Sequence, residues 1–143
     1  MNIDSILVPI DLSRPELGRK SKDVALDLAS LHDAKLHFLS VMPGFGMPVV
    51  ASFFDESEAE KAVKRFAKAF RDYLTEEGLI THPHSIAVGK PHDEIIKTAR
   101  KIQPDLILIH HAKRSGSGEF LLGSCSQQVT ERAPCSVLVI KDN

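Results

Sequence analysis

Five short runs of β-type sequence alternate with segments of helical periodicity along the whole chain. The runs cover residues 3–11, 35–42, 82–88, 105–110 and 135–140. Strands that alternate with helices are joined by right-handed crossovers, which build a parallel sheet covered by helices on both faces. We therefore predict an α/β fold with a doubly wound, five-stranded parallel sheet. Two strand orders, 3-2-1-4-5 and 2-1-3-4-5, satisfy this pattern, and both place ligands beyond the carboxyl ends of the strands, where the winding reverses.

The composition of each run indicates its position in the sheet. Residues 105–110 (DLILIH) are nearly all aliphatic, which is typical of a strand covered on both faces. Residues 82–88 form the most polar run and are predicted to be an edge strand. Residues 135–140 are predicted to form the other edge, where two copies of the chain can pair about a two-fold axis as a homodimer.

The helical segments carry recognisable start signals. Residues 13–16 and 57–60 match the capping-box pattern. The third helix is predicted to begin at Pro91, with acids in its first turn and bases in its last. The fourth is predicted over residues 124–133, where Pro134 halts it.

Length and charge narrow the classes of protein that this chain can be. Its 143 residues fit one domain, residues 1–143, and its net charge of −1 argues against a nucleic-acid binder. No apolar run approaches the ~20 residues that a membrane span needs. The first residues lack the basic flank and apolar region of a secretory signal. We therefore predict a cytoplasmic protein in which Cys125 and Cys135 are reduced thiols.

The glycine-rich segment 110–128 (HHAKRSGSGEFLLGSCSQQ) matches neither of two common nucleotide-binding motifs. The glycine spacing that ends at Gly123 is that of a Walker A loop, but Ser124 stands where the lysine is required. Cys125 stands where a serine or threonine would bind magnesium. The dinucleotide fingerprint also fails, because Leu121 stands where its third glycine should be.

A simpler anion site remains at the start of the fourth helix. Gly123 and Ser124 open this helix, where backbone N–H groups and the helix dipole favour a phosphate. The hydroxyls of Ser124 and Ser126 can add donors, and Lys113 and Arg114 can supply positive charge.

Each of these features also has a purely structural interpretation. Ser124 can cap its own helix with Gln127 as its capping-box partner, while the glycines only permit a turn. Asp11, at the end of the first run, can accept a hydrogen bond from a base or a ribose, or it can only form a turn. The local pattern leaves both alternatives open.

Other chemistries lack the residues that they need. The third run ends in AVGK, without the phosphoacceptor aspartate of a response regulator, and a chain with no Trp and one Tyr lacks aromatic walls for a flavin. The seven histidines do not converge with cysteines or carboxylates as metal ligands do. No base–nucleophile pair stands at a recognisable spacing, so we predict that the chain is not a turnover enzyme, with weak ATP hydrolysis left open.

Several segments, in their order and spacing, resemble the universal stress protein family of the small, single-domain kind. They span nearly the whole chain: residues 6–13 (ILVPIDLS), 88–91 (VGKP) with Ile95, 105–107 (DLI), 123–124 (GS) and 133–139 (APCSVLV). The resemblance implies the 3-2-1-4-5 sheet of the adenine nucleotide alpha hydrolase-like fold and a homodimer. In one branch of the family it also implies a stress-response sensor or regulator that binds ATP or AMP, with or without Mg²⁺. The other branch keeps the fold and the dimer without nucleotide.

The resemblance also assigns residues to the nucleotide. Pro9 and Asp11 are expected beside the adenine and ribose, and the Val41 backbone is expected to contact the adenine. Three further matches, Gly123, Ser124 and Ser126, are expected at the phosphates. The family's phosphate loop has two earlier glycines, whose positions hold His110 and Lys113 here. From position alone, both are expected to line the site, with Lys113 offering a cationic side chain.

Residues 43–55 (PGFGMPVVASFFD) show no clear periodicity. Their large apolar side chains are Phe45, Met47, Phe53 and Phe54. An exposed apolar patch usually marks a partner surface. The segment therefore favours a second hypothesis, a nucleotide-free, dimeric protein-interaction module.

Overall fold

The computed structural model describes residues 1–44, 56–111 and 123–141. Within these residues the chain forms five strands and four helices. They are β1 (Ser5–Pro9), α1 (Pro15–His32), β2 (Lys35–Pro43), α2 (Glu56–Glu76), β3 (His84–Gly89), α3 (Pro91–Ile102), β4 (Leu106–His111), α4 (Ser124–Arg132) and β5 (Ser136–Lys141). The expectations for Lys113, Arg114 and the four apolar residues between 45 and 54 lie outside the described residues.

The five strands form one parallel sheet in the order β3-β2-β1-β4-β5. This order confirms the α/β fold class and the 3-2-1-4-5 arrangement, and it excludes the alternative order 2-1-3-4-5. The strands β3 and β5 lie at the edges, as their sequences predict. The chain winds outwards from β1 in one direction and from β4 in the other, so the winding reverses between these two neighbours.

Alternate side chains of the strands divide the core into two layers, because successive residues of a strand face opposite sides. One layer contains Ile6, Val8, Phe38 and Leu108, packed against α1 and α2 through residues such as Phe70. The other contains Leu7, Leu39, Ile107 and Ile109, packed against α3 and α4 through Ile95, Ala99 and Val129. Helices therefore cover both faces of the sheet.

The start of β4 is tied directly to the start of β1. The Asp105 carboxylate accepts hydrogen bonds from the backbone N–H groups of Asp4 and Ser5, at 2.8 and 3.1 Å. A carboxylate that accepts two amide hydrogens forms short, charge-assisted bonds. This contact holds together the two strands between which the winding reverses.

Two helices begin with a proline, whose missing N–H costs nothing in the first turn. Pro15 begins α1 and Pro91 begins α3, the latter as predicted. The capping box expected at residues 13–16 is wrong, because no side chain caps α1. Ser13 is held in the turn before the helix instead, where its N–H and its hydroxyl donate to Oδ1 of Asp11, at 2.9 and 2.6 Å.

None of the helices in the described residues has the length and apolar character needed to cross a membrane.

Candidate functional site

A cavity of about 370 Å³ opens at the carboxyl ends of β1 and β4, where the winding reverses. Pro9 and Ile10 line it from the first strand, and Ile109 and His110 line it from the fourth. Residues of α1 and α2 contribute from one face of the sheet, and residues of α3 and α4 from the other. Its volume falls within the roughly 300–1,000 Å³ of small-molecule sites. The cavity therefore occupies the crevice that the sheet order predicts.

The eight residues expected at the nucleotide fall into three groups. Those that line the cavity are Pro9, Asp11, Val41, His110 and Ser126. Gly123 and Ser124 lie outside the lining, at the start of α4, directly before the cavity residues Cys125 and Ser126. Lys113 lies outside the described residues.

Asp11 stands at the exposed rim of the cavity, in the turn that joins β1 to α1. Its Oδ1 atom already accepts two hydrogen bonds from Ser13. Both sequence interpretations of Asp11 therefore fit its position: it forms the turn, and its carboxylate lies beside the cavity. A carboxylate is an acceptor with about four lone-pair positions, so these bonds leave it capacity for a ribose hydroxyl.

The start of α4 differs from the arrangement expected if Ser124 capped its own helix. Gly123 is the N-cap residue, in an extended conformation, and no side chain of the described residues caps the helix. Ser124 is the first helical residue, so the interpretation of Ser124 as a cap is wrong. The first intrahelical bond runs from the N–H of Gln127 to the carbonyl of Gly123, at 2.9 Å. The N–H groups of the first turn precede that bond and lack an intrahelical acceptor, which is the arrangement that favours anions.

His111 is a residue near the site to which the sequence assigns no role. It is buried, and its Nδ1 accepts a hydrogen bond from the N–H of Gly123 at 3.2 Å. A side chain at position 123 would press on the same ring, since a Cβ atom there would lie 3.2 Å from Cε1 of His111. The alternation of side chains along β4 is the sequence pattern from which this contact could have been predicted. His111 shares its face with Ile107 and Ile109, the layer that packs against α4.

Cys125 places a thiol in the cavity wall beside Ser126. Burial raises the pKa of this thiol, and the nearby Asp11 carboxylate raises it further. The thiol is therefore protonated at neutral pH, which makes it a poor nucleophile. Both Cys125 and Cys135 are free thiols.

The described residues contain no cluster of three or more histidine, cysteine, aspartate or glutamate side chains able to hold a metal ion. The site chemistry that these residues offer is hydrogen bonding and apolar contact. An apolar cavity with a few polar groups and a helix start at one end suits a flat, largely apolar group joined to an anion.

Comparison with known proteins agrees with this architecture. The family model described as the universal stress protein family matches residues 2–141. Universal stress protein MJ0531 of Methanocaldococcus jannaschii is 28% identical over 144 residues, covering 95% of this chain and 81% of the relative. The solved universal stress protein UspA from Lactobacillus plantarum is 24% identical with a TM-score of 0.67, over 98% of this chain and 99% of that one.

A second solved structure, of a universal stress protein in complex with cAMP, is 20% identical with a TM-score of 0.62 and covers 99% of this chain and 98% of that one. At these identities the two structures show that the fold is shared. The family match, in contrast, extends over almost every residue of the chain. This protein belongs to the universal stress protein family.

Proposed function

We propose that this protein binds an adenine nucleotide, ATP or AMP, in the cavity at the ends of β1 and β4. In this proposal it acts as a stress-response sensor or regulator in the cytoplasm. The observation that carries the proposal is the coincidence of three features at one point: the winding reversal, a cavity of about 370 Å³ and the uncapped start of α4. A fold neighbour in complex with cAMP, itself an adenine nucleotide, supports the choice of ligand.

The cavity suggests how the nucleotide is oriented. The phosphates belong at the first turn of α4, where the amides of Ser124, Cys125 and Ser126 can donate to an anion. Asp11 lies at the rim, within the region where a ribose hydroxyl can donate to its carboxylate. The base then points inward, to the apolar wall that includes Val41 and Leu17.

We propose regulation and not turnover, because the cavity residues suit binding better than covalent chemistry. Burial and the nearby Asp11 carboxylate keep the Cys125 thiol protonated, which makes it a poor nucleophile. Mg²⁺ in this proposal arrives with the ATP phosphates, and the binding experiment compares ATP with and without it. Phosphate release from ATP is measured in the same samples. Release at a rate above 1 per second, an ordinary enzyme turnover, would contradict a regulatory role.

The edge strand β5 is the surface that we propose for homodimer formation. Among the described residues β5 pairs with β4 on one side and forms an edge of the sheet on the other, and Leu138 is partly exposed on it. Two-fold pairing would cover both this edge and Leu138. Sedimentation at micromolar concentration is expected to give twice the mass of the chain, and a monomer there would contradict the proposal.

Two measurements test nucleotide binding. Native mass spectrometry of freshly purified protein is expected to show copurified ATP or AMP. Calorimetric titration with ATP and with AMP, each at concentrations up to millimolar, is expected to give saturable binding. If both measurements show no nucleotide, the proposal fails and the nucleotide-free interaction module becomes the better hypothesis.

A further inference from the structure

Ser21 is a buried serine on α1 whose hydroxyl has no hydrogen-bond partner among the described residues. It also lines the cavity. A buried hydroxyl without a partner destabilises a protein, and native structures contain few of them. Ser40 is equally buried but donates to the carbonyl oxygen of Ile10 at 2.8 Å. The fold therefore satisfies one buried serine internally, whereas the other lines the cavity without a hydrogen-bond partner among the described residues.

The cavity residues around Ser21 are apolar, so its hydroxyl is a polar group in an apolar part of the wall. Leu17 and Gly18 precede it by four and three residues on α1, so all three lie on one helix face, and all three line the cavity. Ile10 also lines the cavity and lies close to Gly18. Asp11 is exposed at the rim of the cavity, whereas Ser21, which also lines the cavity, is fully buried.

We propose that the Ser21 hydroxyl determines specificity for the base, by accepting a hydrogen bond from the 6-amino group of adenine. This inference rests on the proposed nucleotide binding. When the phosphates lie at α4 and the ribose at the rim, the edge of the purine opposite its glycosidic nitrogen penetrates furthest. The 6-amino group lies on that edge and carries two hydrogens. One of these hydrogens can be donated to the Ser21 hydroxyl oxygen.

The expected consequence is a preference for 6-aminopurines over purines that lack the group. A site built to hydrogen-bond a substituent rejects the analogue without it, because the polar groups of the site are then left unpaired. The Ser21 hydroxyl thus destabilises the ligand-free protein and gains its hydrogen bond only when the correct base is bound.

The test compares ATP with purine riboside triphosphate, which differs only by the missing 6-amino group. Dissociation constants are measured by calorimetry for the wild type, Ser21→Ala and the matched control Ser40→Ala. The wild type is expected to prefer ATP, and Ser21→Ala is expected to reduce that preference by about three- to ten-fold. Ser40→Ala is expected to leave the preference unchanged, because its hydroxyl is used inside the protein.

The outcomes separate this inference from the proposal on which it rests. If ATP binds but Ser21→Ala keeps the full preference, the role of Ser21 is wrong and nucleotide binding stands. If the wild type binds no ATP, both are wrong. Thermal unfolding without ligand gives a second readout: the Tm of Ser40→Ala is expected to fall, whereas that of Ser21→Ala holds or rises. An equal fall in both variants would show that Ser21 is bonded within the protein, which overturns the inference.

Discussion

The backbone N–H of Gly123 donates to Nδ1 of His111 across 3.2 Å, joining the end of β4 to the start of α4. His111 is the last residue of β4, and Gly123 is the N-cap of α4. The bond fixes the position of the helix start relative to the sheet. It also engages the first amide of the helix, so anion binding falls to the amides of Ser124, Cys125 and Ser126.

Replacing His111 tests whether this hydrogen bond stabilises the helix start. We expect His111→Leu to lower the free energy of unfolding by about 1 kcal/mol more than His111→Asn does, because the asparagine Oδ1 can replace Nδ1 as the acceptor. Urea unfolding of both variants measures the difference. Equal losses would show that packing of the ring, and not its acceptor, holds the helix.

Ser124→Ala separates a ligand contact from a structural role. Because Gly123, and not Ser124, is the N-cap of α4, we expect the free energy of unfolding to change by less than about 0.5 kcal/mol. We expect ATP binding to weaken by about 1.5–3 kcal/mol, the value of a hydrogen bond to a charged group. Calorimetry and urea unfolding measure the two effects. Unchanged affinity, or a stability loss of about 1 kcal/mol as for a cap, would contradict this prediction.

Gly18 shapes the wall of the cavity through its contact with Tyr73. A Cβ atom at position 18 would overlap the Tyr73 hydroxyl and lie 3.3 Å from its Cζ. Overpacking costs about 1–3 kcal/mol, whereas replacing glycine by alanine within a helix gains up to about 1 kcal/mol. We therefore expect Gly18→Ala to destabilise the protein by about 1–2 kcal/mol.

Tyr73→Phe provides the control for this contact. The Tyr73 hydroxyl is buried and has no hydrogen-bond partner among the described residues, so its removal loses no bond. In the Tyr73→Phe background we expect Gly18→Ala to cost less than about 0.5 kcal/mol or to stabilise the protein, since the overlapping atom is gone. Denaturant unfolding of the four proteins gives the coupling. Additive effects would show that the clash lies elsewhere.

Glu77 links α1 to the chain just beyond α2 and predicts a pH dependence. It pairs with Lys22 at 3.0 Å and Arg19 at 3.2 Å. The hydrogen bond from Lys22 is the main cause that lowers the pKa of Glu77 from 4.5. Because the folded pKa lies below the unfolded one, the stabilisation is present above pH 4.5 and is lost as the pH falls through the folded pKa.

Glu77→Gln is therefore expected to reduce stability by about 1 kcal/mol at pH 7 and to flatten the loss of stability on acidification. Unfolding free energies between neutral pH and pH 3 measure both effects. The control is Asp72→Asn, which breaks the exposed pair of Lys68 and Asp72 and is expected to change stability by less than about 0.5 kcal/mol. A Glu77→Gln curve parallel to that of the wild type would contradict the assignment.

The sheet could be predicted from the sequence because its determinants are local and periodic. Aliphatic runs such as that around Ile107 identify buried strands. Pro91, followed by two acidic residues in the first turn, identifies a helix start. The choice between the two strand orders depends on contacts between distant segments, for example Asp105 with Ser5. Local patterns contain no information on such contacts, so the order rested on the resemblance.

The site was predictable to the level of strand ends and not to the level of side-chain contacts. Asp11, Val41 and His110 reach the cavity because the topology brings the ends of β1, β2 and β4 together. The role of His111 and the unpaired hydroxyl of Ser21 depend on how helices pack on the sheet. The preference of serine for the N-cap position also led to a wrong prediction at Ser124, because Gly123 takes that position.

A crystal structure of the protein crystallised with AMP or ATP tests most directly whether the cavity binds an adenine nucleotide. Electron density is expected in the cavity, with a phosphate within about 3.2 Å of the amides of Ser124, Cys125 or Ser126, a normal hydrogen-bond distance. The base is expected against Val41, with its amino edge at Ser21. A cavity filled by atoms of the protein itself at saturating nucleotide, or a nucleotide bound elsewhere, would contradict the claim.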